Sequence, residues 1–180
     1  MATENSGVAT LSVTMARLSA CGFVLLPICV AYVFLLPEQS RWLMFDMEHL
    51  GAELNSSVPL LYRVAALSCA LGAATFTMWA LWSLRRLFLL YAHGSVFSAE
   101  ALSSLNQVAT ALFASVIVGF ISEAPISFFL TWSRGAHHRE ISLSFGTSDV
   151  ATLFIAGVVL VIARVMAEAQ RVADENAKFV

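Results

Sequence analysis

Four long apolar runs dominate the pattern of hydrophobic and polar positions along this chain. They occupy residues 18–36, 60–84, 108–129 and 150–166 of 180. An α-helix needs about 20 mostly apolar residues to cross the roughly 30 Å hydrocarbon core of a bilayer. Because backbone amides find no water there, each crossing must be helical. The pattern therefore predicts a single all-α domain, an integral membrane four-helix bundle.

The connection between the first two runs carries an amphipathic pattern. Leu43, Met47, Leu50 and Leu54 recur at intervals of three or four residues, with charged residues between them. This spacing predicts an outer loop helix that lies on the membrane surface or caps the bundle. A lid that contacts a ligand is the alternative interpretation.

The connection between the second and third runs has the pattern of two helices joined by a tight turn. The helical pattern of the second run continues past Arg85 to Tyr91. Gly94 can adopt the left-handed conformation that ends a helix, and Ser98 is suited to cap the next helix. Residues 85–107 are therefore predicted to form a helical hairpin that projects from the membrane.

The two ends of the chain differ in pattern. Residues 1–16 are rich in Ser, Thr and Ala, which predicts a short frayed tail. The first apolar run is not followed by a small-residue cleavage site, so we expect it to be retained as a span. The fourth helix is predicted to continue out of the membrane through Ala177, supported by Glu168 and Arg171 at a spacing of three.

Composition and charge narrow the functional classes. Hydrophobic residues make up 59% of the chain and charged residues 12%, about half the charged share of a typical soluble domain. A net charge of −2 and the absence of a Lys/Arg cluster exclude direct nucleic-acid binding. Cys21, Cys29 and Cys69 all fall within predicted spans, where we interpret them as small packing residues.

Small residues recur at intervals of four in the third run, at Ala111, Ser115 and Gly119. This spacing lets helix backbones approach closely. It favours packing within the four-helix unit, and packing between the two subunits of a homodimer is the alternative.

The ten Lys and Arg residues are divided unequally between the two sides of the predicted bundle. Six lie on the side of both termini and the hairpin, namely Arg17, Arg85, Arg86, Arg164, Arg171 and Lys178. The other four are Arg41, Arg63, Arg134 and Arg139. Positive charge is enriched in cytoplasmic segments of membrane proteins, so this bias predicts that both termini are cytoplasmic.

Glu123 is an acidic residue inside an apolar run, where a charge is costly and often functional. Pro125 would free a backbone carbonyl nearby. Arg63, just inside the corresponding end of the second run, is a candidate partner. Either Glu123 and Arg63 form an intramembrane ion pair that fastens two helices, or Glu123 serves a ligand, proton or ion site.

Catalytic and metal-binding patterns are lacking in the sequence. His137 and His138 are adjacent but have no grouping of Cys or carboxylate residues to complete a metal site. Phosphate-binding loops, nucleophile elbows and zinc-protease motifs do not occur. We therefore expect no enzyme activity, no metal and no cofactor. Four spans are also too few for an inverted-repeat carrier within one chain, although a homodimer could supply the missing half.

Two segments resemble a known family. The first is Leu-Arg-Arg-Leu-Phe-Leu-Leu-Tyr at residues 84–91, followed by Gly94, Val-Phe-Ser at 96–98 and Glu100. The second is Ala-Arg-Val-Met-Ala-Glu-Ala at 163–169, followed by Asp-Glu-Asn at 174–176 and the terminal Phe-Val. Together they resemble the bacterial four-span inner-membrane proteins catalogued as domain of unknown function 2975.

The resemblance covers residues 18–180 and implies a location in the bacterial inner membrane. It brings no catalytic residues with it. Members of the family are often encoded beside a small helix-turn-helix DNA-binding protein, so the resemblance implies such a cytoplasmic regulator as a candidate partner.

These observations give a leading hypothesis and two alternatives. The leading hypothesis is a non-enzymatic regulatory or sensory membrane protein that binds a cytoplasmic regulator. The candidate partner-binding residues lie on the hairpin and at the C-terminus: Arg85, Arg86, Tyr91, Phe97, Phe179 and Val180. The terminal Phe-Val pair could dock into a protein groove or fold back on the hairpin. The alternatives are a small dimeric transporter or channel that uses Glu123, and a structural subunit of a membrane complex.

Overall fold

The computed structural model describes residues 2–40, 58–94, 98–132 and 146–177. In these ranges the chain forms α-helices and no strands. The helices are α1 (Ala2–Leu35), α2 (Leu60–Ala92), α3 (Ala99–Trp132) and α4 (Thr147–Ala177). Each of the four contains a stretch that is long and apolar enough to cross a membrane. The predicted all-α membrane bundle of four helices is therefore confirmed.

The N-terminal segment is helical, so the predicted frayed tail is wrong. Helix α1 begins at Ala2, well before Arg17. Ser12, Ala16 and Ser19 are buried at spacings of four and three residues, which places them on one face of the helix. Ser and Ala are typical of an unstructured tail, and this composition led to the prediction. They are also small enough to pack closely against a neighbouring helix, which is why the prediction failed.

The helices pack in the order in which they occur along the chain. Helix α1 packs on α2, α2 on α3, and α3 on α4, while the remaining pairs make at most marginal contact. A Cβ placed on Gly22 of α1 would lie 3.5 Å from a methyl carbon of Leu81 in α2. The described helices therefore form a row in which α2 and α3 are central and α1 and α4 are at the edges.

Two buried clusters hold the ends of this row together. At the hairpin end, which is the end that carries the α2–α3 connection, Leu87, Ala101, Leu105 and Ala163 pack together. At the opposite end the cluster consists of Phe34, Val58, Ala66 and Leu130. Each cluster joins three helices, so both ends are fixed by side-chain packing as well as by the connections.

The α2–α3 connection has the geometry that the sequence predicts. The backbone N–H of His93 donates to the carbonyl oxygens of Leu89 and Leu90, and Gly94 follows with a φ of +78°. The Ser98 Oγ accepts a 3.1 Å hydrogen bond from the Ala101 backbone N–H, which caps α3. The helical hairpin is therefore confirmed in its described residues. Phe97 lies outside them, as does the predicted helix around Leu43 to Leu54.

The fourth helix continues through Ala177 as predicted. A guanidinium nitrogen of Arg171 lies 2.6 Å from a carboxylate oxygen of Glu168, so the predicted ion pair is present. Both side chains are mostly exposed, so the pair stabilises the helix by only about 0.5 kcal/mol or less. At the other end of α4, the Asp149 carboxylate accepts a hydrogen bond from the Gly146 backbone N–H at 2.9 Å.

The small residues of α3 pack differently from one another. Ala111 is fully buried and Ser115 is half-buried. A Cβ on Gly119 would meet no atom of the described residues within 4 Å. The predicted packing within the four-helix unit therefore holds at Ala111, whereas Gly119 has open space around it in the described part of the chain.

Candidate functional site

Glu123 lies on α3 within a candidate membrane span and is half-buried. Pro125 follows two residues later inside the same helix. Because proline has no N–H, the carbonyl of Ile121 lacks its helical donor. The hydroxyl of Ser122 donates to the carbonyl of Val118 at 2.6 Å. A carboxylate, a hydroxyl and a freed carbonyl are thus concentrated in one stretch of an otherwise apolar helix.

Arg63 lies in the first turn of α2 and is also half-buried. It is one turn from Ala66, which shares a packed cluster with Leu130 of α3, and Leu130 is two turns from Glu123. Arg63 and Glu123 therefore lie toward the same end of the α2–α3 pair. Both residues take part in interactions within the described chain. A direct ion pair between them stays a prediction.

The hairpin end carries the other predicted residues. The Arg85 guanidinium lies 5.3 Å from the centre of the Trp82 ring, in a cation–π contact. Trp82 also contacts Phe23 of α1, with 5.8 Å between ring centres. Sequence reasoning missed Trp82. The spacing of three residues between Trp82 and Arg85 would have indicated the contact, because it places the two side chains on one helix face.

Arg86 is exposed, next to the half-buried Arg85. Tyr91 packs against the hairpin-end cluster together with Met166 of α4. The middle of α4, from Val159 to Met166, and the hairpin therefore meet in one packed unit. Phe179 and Val180 lie outside the described residues, as do His137 and His138.

The described residues contain no group of three or more His, Cys, Asp or Glu side chains that could hold a metal ion. The candidate features for function are therefore the carboxylate of Glu123 within a span, the half-buried Arg63, and the arginines at the hairpin end.

Comparison with known proteins identifies the family to which the chain belongs. The family model described as "Protein of unknown function (DUF2975)" matches residues 1–180. The chain belongs to this family. No curated protein and no solved structure matches it. For this member of the DUF2975 family, the helices and the residues on them are thus the starting point for function.

A double-mutant cycle tests whether Glu123 and Arg63 interact in this DUF2975 protein. We expect Glu123→Gln and Arg63→Gln each to lower the free energy of unfolding in detergent. The loss of unfolding free energy in the double variant should be at least about 1 kcal/mol smaller than the sum of the losses in the two single variants, because residues in one ion pair are energetically coupled.

The matched control cycle combines Glu123→Gln with Arg86→Gln, which lies at the other end of α2. The effects of these two substitutions on the free energy of unfolding should be additive within about 0.5 kcal/mol. If the Arg63 cycle is equally additive, the ion pair is wrong and Glu123 belongs to a ligand, proton or ion site.

Proposed function

We propose that this protein is a non-enzymatic regulatory or sensory protein of the bacterial inner membrane. It binds a cytoplasmic helix-turn-helix regulator at its hairpin end. The observation that supports the proposal most is the side-chain packing at the hairpin end. Helices α2, α3 and α4 meet there in one buried cluster, so the hairpin and the middle of α4 offer a rigid surface rather than separate loops.

Charge supports the cytoplasmic orientation of this surface. Six of the ten basic residues belong to the hairpin end and the two termini, and positive residues are enriched on the cytoplasmic side of membranes. Arg85 and Arg86 at the base of the hairpin can bind carboxylate groups of a partner. Arg85 is already oriented by Trp82, which reduces the entropy lost on binding.

Helix continuity supports a sensory role for the span that holds Glu123. Helix α3 runs without interruption from Ala101 in the hairpin-end cluster through Glu123 to Trp132. A ligand, lipid or membrane state that shifts this helix at Glu123 would therefore also shift its end at the hairpin, because packed helices move as rigid bodies. The signal reaches the partner surface through one element.

Co-purification tests the partner. The tagged full-length chain is extracted from native membranes in a mild detergent, bound proteins are identified, and the pair is rebuilt from purified components. We expect a helix-turn-helix protein to be recovered. Its affinity should fall about tenfold or more in the Arg85→Ala/Arg86→Ala variant, since each charge-assisted hydrogen bond contributes about 1.5 kcal/mol or more.

Arg134→Ala is the matched control, because it removes an arginine from the connection at the opposite end of the bundle. It should leave the affinity unchanged. Repeated failure to recover a helix-turn-helix protein, or equal binding by the double variant and the wild type, would contradict the proposal.

Transport is the second candidate function, and the position of Glu123 inside a candidate span favours it. A dimeric exporter or channel would show a pH-dependent flux in proteoliposomes that Glu123→Gln abolishes. Under the regulatory proposal no such flux exists, so the same measurement separates the two functions.

A third candidate function is a structural subunit of a membrane complex. The open space around Gly119 among the described residues favours it, since a small residue permits close approach by a helix of another chain. Gly119→Leu should then dissociate the complex, as measured by its size in detergent, while the isolated chain keeps its helix content.

A further inference from the structure

Arginines from three helices lie at one depth of the bundle. The contact between Gly22 and Leu81 sets the relative position of the antiparallel helices α1 and α2. Arg17 is five residues from Gly22 and Arg86 is five residues from Leu81, both toward the hairpin end. Since a helix rises 1.5 Å per residue, each arginine is about 7.5 Å beyond the contact.

Helix α4 adds an arginine at the same depth. Ala163 packs in the hairpin-end cluster with Leu87, and these two residues are the sequence neighbours of Arg164 and Arg86. Arg85, stacked on Trp82, completes the set. We refer to Arg17, Arg85, Arg86 and Arg164 as the arginine belt.

The belt carries an excess of positive charge among the described side chains. Arg17, Arg86 and Arg164 are exposed, and no member of the belt forms an ion pair with a described carboxylate. Glu100, next to Ala101 of the hairpin-end cluster, is a single acidic residue at this depth, and Glu168, one turn from Arg164, is bound to Arg171. An excess of positive charge at one level attracts anions from the surroundings.

The surface next to the belt is apolar on the side of the membrane core. Leu18, Trp82 and Val161 are each more than half exposed within one turn of a belt arginine. A partner of this surface must therefore be negative at the level of the arginines and apolar just beyond it. An anionic phospholipid has this combination, because its phosphate lies at the interface and its acyl chains extend into the core.

We propose that the arginine belt binds the phosphate groups of anionic phospholipids in the leaflet at the hairpin end. The guanidinium groups bind phosphate oxygens, which suits the planar, permanently charged arginine side chain. The acyl chains lie along the exposed apolar residues. This binding keeps α1, α2 and α4 at a fixed depth in the membrane, and it does not depend on a protein partner.

Native mass spectrometry of the delipidated full-length protein in detergent tests this proposal. Palmitoyl-oleoyl phosphatidylglycerol and the phosphatidylcholine with the same chains are offered separately. We expect the wild type to retain phosphatidylglycerol at least about fivefold more than phosphatidylcholine, the factor expected from a single arginine near an anionic surface. Equal retention of the two lipids would overturn the proposal.

Two variants of α4 form a matched pair, and both are made together with Glu168→Gln, because loss of Arg171 would otherwise free the Glu168 carboxylate to pair with Arg164. On this background Arg164→Gln and Arg171→Gln remove the same charge from nearly the same face of one helix, seven residues apart, but only Arg164 belongs to the belt. We expect Arg164→Gln, and likewise Arg17→Gln, to lower the preference at least about twofold, and Arg171→Gln to leave it unchanged. Equal effects of Arg164→Gln and Arg171→Gln would contradict the belt.

Three further measurements separate this outcome from misfolding and from a site for free anions. Arg164→Lys should keep most of the preference because it keeps the charge, and salt should lower the preference of the wild type. Inorganic phosphate at the lipid concentration should not displace phosphatidylglycerol. Displacement by phosphate would overturn the lipid assignment. Arg85 and Arg86 belong both to the belt and to the proposed partner surface. Because the variants used here change only Arg17 and α4, lipid binding and partner binding can succeed or fail independently.

Discussion

Replacing Leu130 with alanine is expected to lower the free energy of unfolding by about 2 to 4 kcal/mol, the range for large-to-small changes in a close-packed interior. Leu130 is fully buried and belongs to the cluster that joins α1, α2 and α3. Within a membrane, lipid is as apolar as leucine, so helix association depends on van der Waals contact. Alanine at this position removes such contacts from three helices at once.

The measurement is reversible unfolding of the purified protein in mixed micelles as the denaturing detergent is increased. Ile121→Ala is the matched control, because Ile121 lies on the same helix and is 62% exposed. It should change the unfolding free energy by no more than about 0.5 kcal/mol. Similar losses for Leu130→Ala and Ile121→Ala would mean that the cluster does not stabilise the bundle.

The sequence predicted the parts of this fold that depend on local chemistry. Gly94 and Ser98 signalled the end of α2 and the start of α3, because a left-handed φ favours glycine and an N-cap needs a hydroxyl or similar side chain. Both features occur at these residues. The four spans followed from the length of the apolar runs alone. These predictions required no knowledge of which helices are neighbours.

The features that sequence analysis missed depend on neighbours. Residues 2–16 contain few large apolar side chains, and their helical state reflects the burial of Ser12 and Ala16. Tertiary packing stabilises most helices in proteins more than intrinsic propensity does. A similar reason applies to the arginine belt. Arg17 and Arg164 are 147 positions apart in sequence, and only the relative positions of the helices bring them to one depth.

Glu123 illustrates what the sequence can establish about the candidate site. An acidic residue in an apolar run is visible at once, and the structure puts it in a candidate span as expected. Its role depends on the atoms around the carboxylate, which spacing along the chain does not identify. The double-mutant cycle with Arg63 therefore addresses the part of the site that composition and spacing leave open.

Replacing Ala66 with leucine is expected to destabilise the protein by about 1 to 3 kcal/mol, since added methylene groups in a close-packed site force neighbouring side chains aside. Ala66 is fully buried in the same cluster as Phe34 and Leu130. Gly72→Leu on the same helix is the control. A Cβ there would meet no atom of the described residues within 4 Å, so the larger side chain should not lower stability.

Combining the two substitutions tests whether the cluster is one packed unit. Leu130→Ala opens a space and Ala66→Leu adds a side chain of the same kind in the same cluster. If the two positions share this space, the double variant should be at least about 1 kcal/mol more stable than the sum of the single changes predicts, because changes at contacting residues are not additive. Unfolding in the same mixed micelles measures this difference. Strict additivity would show that the side chain added at residue 66 does not enter the space left by Leu130.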